Sequence, residues 1–131
     1  MSFLSKLTID NIEYNVLSAE YRIKQSDDGT GLPNEETMAG KLLVKIESTK
    51  DVTLIEWAMS TRTRKDGALI LYNRDSVSTF RKIEFKDAYC LDFFEKFDGE
   101  NNEPLYSEIL ISAKELNIKG AKIVNDWPDI R

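Results

Sequence analysis

Apolar and polar residues alternate with a period of two along most of the chain, and this alternation predicts half-buried β-strands. In residues 3–9 it places Phe3, Leu7 and Ile9 on one strand face. Asp10 and Asn11 then supply the residue types of a tight turn. The next strand carries four apolar or aromatic side chains on one face: Leu17, Ala19, Tyr21 and Ile23. These two strands therefore predict a β-hairpin.

The same alternation predicts further strands at residues 41–47, 68–72, 77–97, 105–116 and 118–124. Their core-facing side chains are predicted to be Leu42, Val44, Ile46, Ile83, Phe85, Tyr89, Leu91, Phe93, Ile109, Ile111 and Ala113. Only Asp87 interrupts the face of the longest strand. The chain as a whole is thus expected to form roughly seven strands, separated by turn residues.

One segment has helical spacing instead. In residues 51–60, the apolar residues Val52, Ile55 and Met59 recur at the intervals of a helix face, with Thr49 or Asp51 available as the cap. Three more apolar residues flank this stripe: Leu54, Trp57 and Ala58. We expect this helix to pack on the sheet.

These elements predict a mainly β fold: a small closed β-barrel, or two packed antiparallel sheets, with one flanking α-helix and an extended loop. A chain of 131 residues suits a single domain spanning residues 1–131. In residues 68–72 both strand faces are apolar, whereas a small barrel buries only its inner face. The outer face therefore needs a cover, and self-association is the economical explanation.

Two segments have opposite charge. Residues 26–39 contain four acidic side chains, two glycines and one proline without periodicity, and they predict a long, exposed, acidic loop. Residues 61–65 predict a basic loop that carries Arg62, Arg64 and Lys65, closed by the turn pair Asp66 and Gly67. Opposite charges of this kind can steer the association of two copies, although two solvated loops would show the same pattern.

Charge and hydropathy exclude several partners. The net charge of −5 argues against sequence-independent binding of nucleic acid, which needs a basic face. No apolar run approaches the roughly 20 residues that span a bilayer, so membrane insertion is not expected. The N-terminus lacks the basic start, apolar middle and cleavage site of a secretory signal.

The inventory of reactive side chains predicts no catalysis. Histidine is absent, which removes the usual general base and the commonest metal ligand. Cys90 is the only cysteine, lies in a predicted strand and is expected to be a buried, inert thiol. Neither the adjacent acids of residues 26–39 nor the glycines there match a metal or phosphate motif. We therefore predict no catalytic, metal or cofactor-binding residues.

Several segments, in this order, resemble the Hcp (haemolysin-coregulated protein, TssD) family of type VI secretion tube proteins. They are FLSKLTIDNIEYNVLSAEYRIKQ, DVTLIEWAMS, KDGALILYNRDS, FKDAYCLDFFEKFD and ISAKELNIKGAKIVNDWP. The resemblance implies a closed barrel that forms hexameric rings, which stack into a hollow tube that can carry effector proteins. It implies the spike, sheath and baseplate as partners, with assembly in the cytoplasm and export without a signal peptide through the secretion apparatus.

The resemblance also implies that the acidic loop contacts the adjacent ring. The candidate stacking residues are Asp27, Asp28, Gly29, Gly31, Pro33, Glu35 and Glu36. Arg62, Arg64 and Lys65 are candidate acceptors of that loop, on charge complementarity alone. Two alternatives stay open: a tail-tube protein of a phage-like contractile injection particle, and a monomeric β-barrel that binds a small ligand. An enzyme is a more distant alternative.

Overall fold

The computed structural model describes residues 5–27, 33–38, 40–73, 78–97, 99–100, 106–125 and 127. Over these residues it contains nine strands and one helix: β1 (Ser5–Ile9), β2 (Ile12–Tyr21), β3 (Lys24–Asp27), β4 (Pro33–Met38), β5 (Lys41–Glu47), α1 (Thr53–Met59), β6 (Lys65–Tyr72), β7 (Thr79–Lys96), β8 (Tyr106–Ile118) and β9 (Ala121–Val124). The fold is mainly β, as the alternation predicts.

Six of the strands form a closed antiparallel barrel in the order β5, β2, β1, β6, β7 and β8. Pairing of β5 with the first half of β8 closes it, from Lys41 opposite Ser112 to Glu47 opposite Tyr106. The second half of β8 pairs instead with β9, which lies outside the ring of six. The predicted closed barrel is therefore confirmed.

The barrel interior is filled by the predicted faces of β1, β5 and β8. Their side chains are buried: Leu7, Ile9, Leu42, Val44, Ile46, Ile109, Ile111 and Ala113. Leu69, Ile83 and Phe85 complete the core from β6 and β7. Burial of each large apolar side chain contributes about 1.5–3 kcal/mol, so this interior is the main source of stability. Phe3, also predicted for this core, lies outside the described residues.

Strand β2 departs from the prediction because it contains a bulge. Val16 pairs with Ile46 and Ser18 with Lys45, which leaves Leu17 as an extra residue. An extra residue moves every following side chain to the other face, so Val16 before it and the predicted Ala19 and Tyr21 after it all pack against the core. Leu17 is consequently 45% exposed, and its predicted place in the core is wrong. Ile23, beyond the end of the strand, is also exposed.

Strand β7 changes face in the same way. Lys65 pairs with Ala88 but Gly67 pairs with Phe85, so β7 holds one extra residue near Asp87, whose φ is 52°. The buried residues after this point are Ala88 and Cys90. Tyr89 and Leu91 therefore lie outside the core, contrary to the prediction. A second shift, between Cys90 and Asp92, turns Phe93 back toward the core.

The helix buries the face opposite to the predicted one. Leu54 and Trp57 are buried and Ala58 packs against the core, whereas Val52 is 49% and Met59 79% exposed. Trp57 presents the largest apolar side chain of the segment, which decides the face that packs. The N-cap is Val52 without a side-chain hydrogen bond, so neither predicted cap is used.

The acidic loop predicted at residues 26–39 contains strands. β3 and β4 pair antiparallel as a separate two-stranded sheet, with Lys24 opposite Met38 and Asp27 opposite Pro33. We call these two strands the β3–β4 ribbon. Among the described residues it contacts no other strand or helix. The prediction of a structureless loop is therefore wrong for both strands.

The predicted turn at Asp66 and Gly67 is also wrong, because both residues lie within β6. Gly67 serves close packing instead of a turn. A Cβ atom there would lie 2.5 Å from the Thr8 carbonyl oxygen and 2.6 Å from Cζ of Phe85. Glycine thus permits the approach of β1 and of the Phe85 ring.

Candidate assembly surfaces

The barrel has two different ends, which β5 connects. The β3–β4 ribbon immediately precedes β5 and α1 follows it. Seven residues at about 3.3 Å each separate the two ends of this strand by roughly 20 Å. We call them the ribbon end and the helix end. Of the acidic residues singled out in the sequence, Asp27, Glu35 and Glu36 belong to the ribbon, whereas the basic residues lie at the helix end. The two described groups therefore lie at opposite ends of β5.

At the ribbon end, the chain that follows the ribbon is fixed to β8. The carbonyl of Gly40, whose φ is 105°, accepts a 2.7 Å hydrogen bond from the amide of Ala113. The Asn125 side chain donates to the Ala113 carbonyl at 2.9 Å. A Cβ atom on residue 40 would lie 2.5 Å from this Asn125 amide nitrogen. The base of the ribbon is therefore anchored at a position that favours glycine.

At the helix end, hydrogen bonds fix the segment after α1. The Trp57 indole N–H lies 3.1 Å from the Thr63 carbonyl and 3.2 Å from the Ala88 carbonyl. The Ser60 hydroxyl accepts from the amides of Arg62 at 3.3 Å and Thr63 at 3.0 Å. This backbone holds Arg62 and Arg64 at the exposed surface. Within the described part of the chain neither guanidinium has an ion-pair partner.

Lys65, the third basic candidate, is placed differently. It is the first residue of β6, and its ammonium forms an ion pair with the carboxylate of Asp10 in the β1–β2 turn. The lysine side chain is partly shielded from solvent by this position. Lys65 therefore joins two parts of its own barrel, while Arg62 and Arg64 stay exposed.

A pocket of about 200 Å³ lies between the start of α1 and the barrel. Ile46, Leu54 and Phe93 supply apolar lining, and Val52, Ile55 and Lys50 border it from the helix side. Val52 and Ile55 also belong to the outward stripe of the helix. The pocket and the stripe are thus one continuous surface, which sequence periodicity did not reveal because it assigned that stripe to the core.

The start of α1 is held by a buried tyrosine. The Tyr14 hydroxyl donates to Asp51 at 2.8 Å, and the Thr53 hydroxyl donates to the other carboxylate oxygen at 2.9 Å. Burial and the bond to Asp51 raise the pKa of Tyr14, while the two donated hydrogen bonds lower the pKa of Asp51. Both groups therefore keep the protonation states that this contact needs at neutral pH.

The outer wall of the barrel is partly apolar. On β6, Leu69 points inward, whereas its neighbours Ala68 and Ile70 are only half-buried. Leu43 and Leu110 face each other across the β5–β8 pair and lie outside the core cluster. Leu91 and Phe94 are exposed on β7. In one isolated chain this wall stays in contact with water, which favours a protein partner.

Cys90 is expected to be unreactive in the folded protein. The side chain is 5% exposed, and its thiol donates to the Asp92 carbonyl at 3.3 Å. Burial raises the pKa of the Cys90 thiol to about 11, so the thiolate that reacts with disulfide reagents is scarce at pH 8. Labelling of Cys90 with Ellman's reagent should be negligible in native protein and reach one equivalent in denaturant. Rapid native labelling would show that this strand opens.

The predicted stacking residues fall partly within the described chain. Asp27 lies in β3, and Pro33, Glu35 and Glu36 lie in β4. Asp28, Gly29 and Gly31 lie outside the described residues. Over the part of the chain that the structure describes, no group of three or more Cys, Asp or Glu could hold a metal ion. In that same part, no helix has the length and apolarity needed to cross a membrane.

The fold belongs to the class of small closed antiparallel barrels that carry one flanking helix and a separate two-stranded ribbon. The model of the haemolysin-coregulated protein Hcp (TssD) family matches residues 1–128, and the chain belongs to this family. No curated protein matches it in sequence. The predicted family resemblance is therefore confirmed, and the chain is a tube-forming structural subunit.

Solved structures agree with this assignment. Hcp1 from Flavobacterium johnsoniae is 33% identical, with a TM-score of 0.86 over 94% of this chain and 100% of that one. Hcp1 from Salmonella typhimurium is 15% identical, with a TM-score of 0.73 over 94% and 92% of the two chains. The sheath/tube terminator of the extracellular contractile injection system PVC is 16% identical, with a TM-score of 0.58 over 88% and 92%. The latter two likenesses show the fold alone.

Proposed function

We propose that the chain is the subunit of a type VI secretion inner tube, a structural domain spanning residues 1–131 that acts without catalysis. Six copies form a ring, and rings stack head to tail into a hollow conduit that carries effector proteins. The observation that supports this proposal most directly is the barrel with an apolar outer wall and different surfaces at its two ends. The wall suits contacts within a ring, and the ends suit contacts between rings.

The proposed partners follow from the same assembly. The ring contacts other copies of itself, and the finished tube contacts the spike, sheath and baseplate proteins of the apparatus. Assembly takes place in the cytoplasm, and the tube leaves the cell through the apparatus without a signal peptide. Membership of the Hcp family supports this placement, as does the likeness to parts of contractile particles.

A second candidate is the tube protein of an extracellular contractile injection particle. It is favoured by the structural likeness to the PVC sheath–tube complex, with a TM-score of 0.55. It predicts the same rings and differs in whether the tube is assembled inside a free particle. A monomeric ligand-binding barrel is disfavoured, because core side chains fill the interior and the pocket described above lies outside it, beside α1.

Native mass spectrometry of the purified protein tests the proposal. Six copies of a 15.1 kDa chain give about 91 kDa, and a closed symmetric ring should dominate at micromolar concentration. Negative-stain images of the same sample should show annular particles. A monomer at all concentrations, without rings on electron microscopy grids, would contradict the tube proposal and support the ligand-binding alternative.

A further inference from the structure

We propose that the pocket beside α1 binds an arginine side chain presented by a different protein. The apolar floor of the pocket would hold the alkyl part of that side chain, and Glu95 together with Phe93 would hold its guanidinium group. The inference goes beyond the proposed tube function, because it gives the helix end a binding site for a partner that is not a copy of this chain.

The pocket lies where the barrel interior changes from apolar to polar side chains. In the β7–β8 pair Phe93 lies opposite Ile109, and two residues further along β7 Glu95 lies opposite Ser107. Side chains two residues apart on a strand share a face, so Glu95 and Ser107 occupy core-facing positions at the mouth of the barrel. A carboxylate and a hydroxyl therefore stand where the alternation would otherwise continue with apolar side chains.

Two serine hydroxyls hold the Glu95 carboxylate in place. The Ser107 hydroxyl, which is buried, donates to one carboxylate oxygen at 3.1 Å. The Ser48 and Ser107 hydroxyl oxygens are 2.9 Å apart. Each hydroxyl has a single hydrogen, so Ser48 donates to Ser107 while Ser107 donates to Glu95. Within the described residues the second oxygen of Glu95 has no hydrogen bond or ion pair, and it can accept from a cationic donor.

Charge and an aromatic ring select a guanidinium group as the ligand. Among the described residues that line the pocket, Asp51 and Glu95 are acidic and only Lys50 is basic. Both oxygens of Asp51 already accept hydrogen bonds from neighbouring hydroxyls, which leaves Glu95 as the available acceptor. Phe93 lines the same pocket. A guanidinium group binds carboxylates through paired hydrogen bonds and also stacks on aromatic faces, whereas an ammonium group offers only a compact charge.

The size and surroundings of the pocket favour a side chain of a protein over a free small molecule. Its volume of about 200 Å³ is below the roughly 300–1,000 Å³ of small-molecule sites. Ile46 and Leu54 are buried and form the apolar floor that the alkyl part of an arginine would cover. The pocket continues into the apolar stripe that contains Val52 and Ile55, and only a larger partner would cover that stripe. We therefore expect an arginine that is flanked by apolar residues in the partner.

A peptide titration tests the site. In the purified assembly, methyl NMR signals of Ile46 and Ile55 report on the pocket, because both side chains line it. The probe is the peptide acetyl-Leu-Arg-Leu-amide, and the same peptide with neutral citrulline in place of arginine is its control. We expect the arginine peptide to shift both methyl signals and to bind about tenfold more tightly than the citrulline peptide.

Three variants separate the pocket from the general charge of the helix end. Glu95→Gln keeps the shape of the side chain and should weaken binding of the arginine peptide about tenfold. Glu47→Gln removes an exposed carboxylate that does not line the pocket, and it should leave the affinity unchanged. Lys50→Gln removes the basic side chain of the pocket and should strengthen binding a few-fold. Circular dichroism checks that each variant is folded.

Four results would overturn the proposal. They are equal affinity for the two peptides, the absence of any methyl shift at millimolar peptide, a Glu95→Gln variant that binds as tightly as wild type, and weaker binding by Lys50→Gln. If n-butylguanidinium binds as tightly as the arginine peptide, the pocket takes a free small molecule and the protein source is wrong. If Glu95→Gln changes the association of rings, the occupant is a second copy and the assignment to a different protein is wrong. None of these results affects the tube function, which fails if the wild-type chain forms no rings.

Discussion

Replacing Trp57 with alanine is expected to lower the free energy of unfolding by about 3–5 kcal/mol, a large part of the stability of a domain this size. The side chain is 1% exposed and is the largest in the core. Truncation would leave a cavity between α1 and β7. It would also remove the N–H group that lies near the carbonyls of Thr63 and Ala88. Urea unfolding followed by circular dichroism measures this loss.

Met59→Ala is the matched control for Trp57→Ala, because it truncates a large apolar side chain of the same helix that is mostly exposed. Its effect on unfolding should stay within about 0.5 kcal/mol. Equal losses in the two variants would show that α1 packs through a different face.

Ile70→Asp is expected to convert rings into folded monomers. Ile70 lies on the outer wall of β6, opposite Lys6 on β1 and Lys82 on β7. In an isolated barrel the new carboxylate would lie beside two cations, and such cross-strand pairs stabilise by about 0.2–1 kcal/mol. In a ring the same carboxylate would be buried against a neighbouring subunit, where an unpaired charge costs several kcal/mol. The stability of the monomer and the assembly of the ring should therefore respond differently.

Leu69→Asp provides the comparison for Ile70→Asp, since it places the same charge one residue away on a fully buried side chain. That variant should not fold. Native mass spectrometry and circular dichroism on the pair separate the two effects. If Ile70→Asp assembles into normal rings, the β6 wall is not a subunit contact. If it unfolds as completely as Leu69→Asp, the outer wall supports the barrel itself.

The sequence was sufficient to predict the barrel where strands are regular. In β5 and β8 the alternation runs without interruption, and Leu42, Val44, Ile109 and Ile111 are buried as predicted. In β2 a bulge excludes Leu17 from the core, although Ala19 and Tyr21 pack there as predicted. In β7 an extra residue near Asp87 exchanges the two faces, so Tyr89 and Leu91 lie outside the core. A bulge depends on pairing with the neighbouring strand, which the sequence of one strand does not specify. In β7 the polar Asp87 interrupts the predicted apolar face at the position of the extra residue.

The predictions for the helix and for the acidic segment were wrong for other reasons. Both faces of α1 are apolar, so periodicity could not decide between the Val52 stripe and Trp57. In the folded protein, the size of the Trp57 side chain and its hydrogen bonds determine which face of α1 packs against the barrel. In residues 26–39 the glycines, proline and acids favoured a loop, whereas backbone pairing between β3 and β4 forms a ribbon. Charge alone singled out Arg62 and Arg64, but their place beside an apolar stripe depends on three-dimensional structure.

The separation of the ribbon and α1 by a single strand has a consequence for any filament built from this chain. If copies stack head to tail, as proposed above, the ribbon end is exposed at one tip of the filament and the helix end at the other. The two tips are then chemically different. A protein that starts the filament and a protein that caps it would bind different surfaces and would not compete with each other.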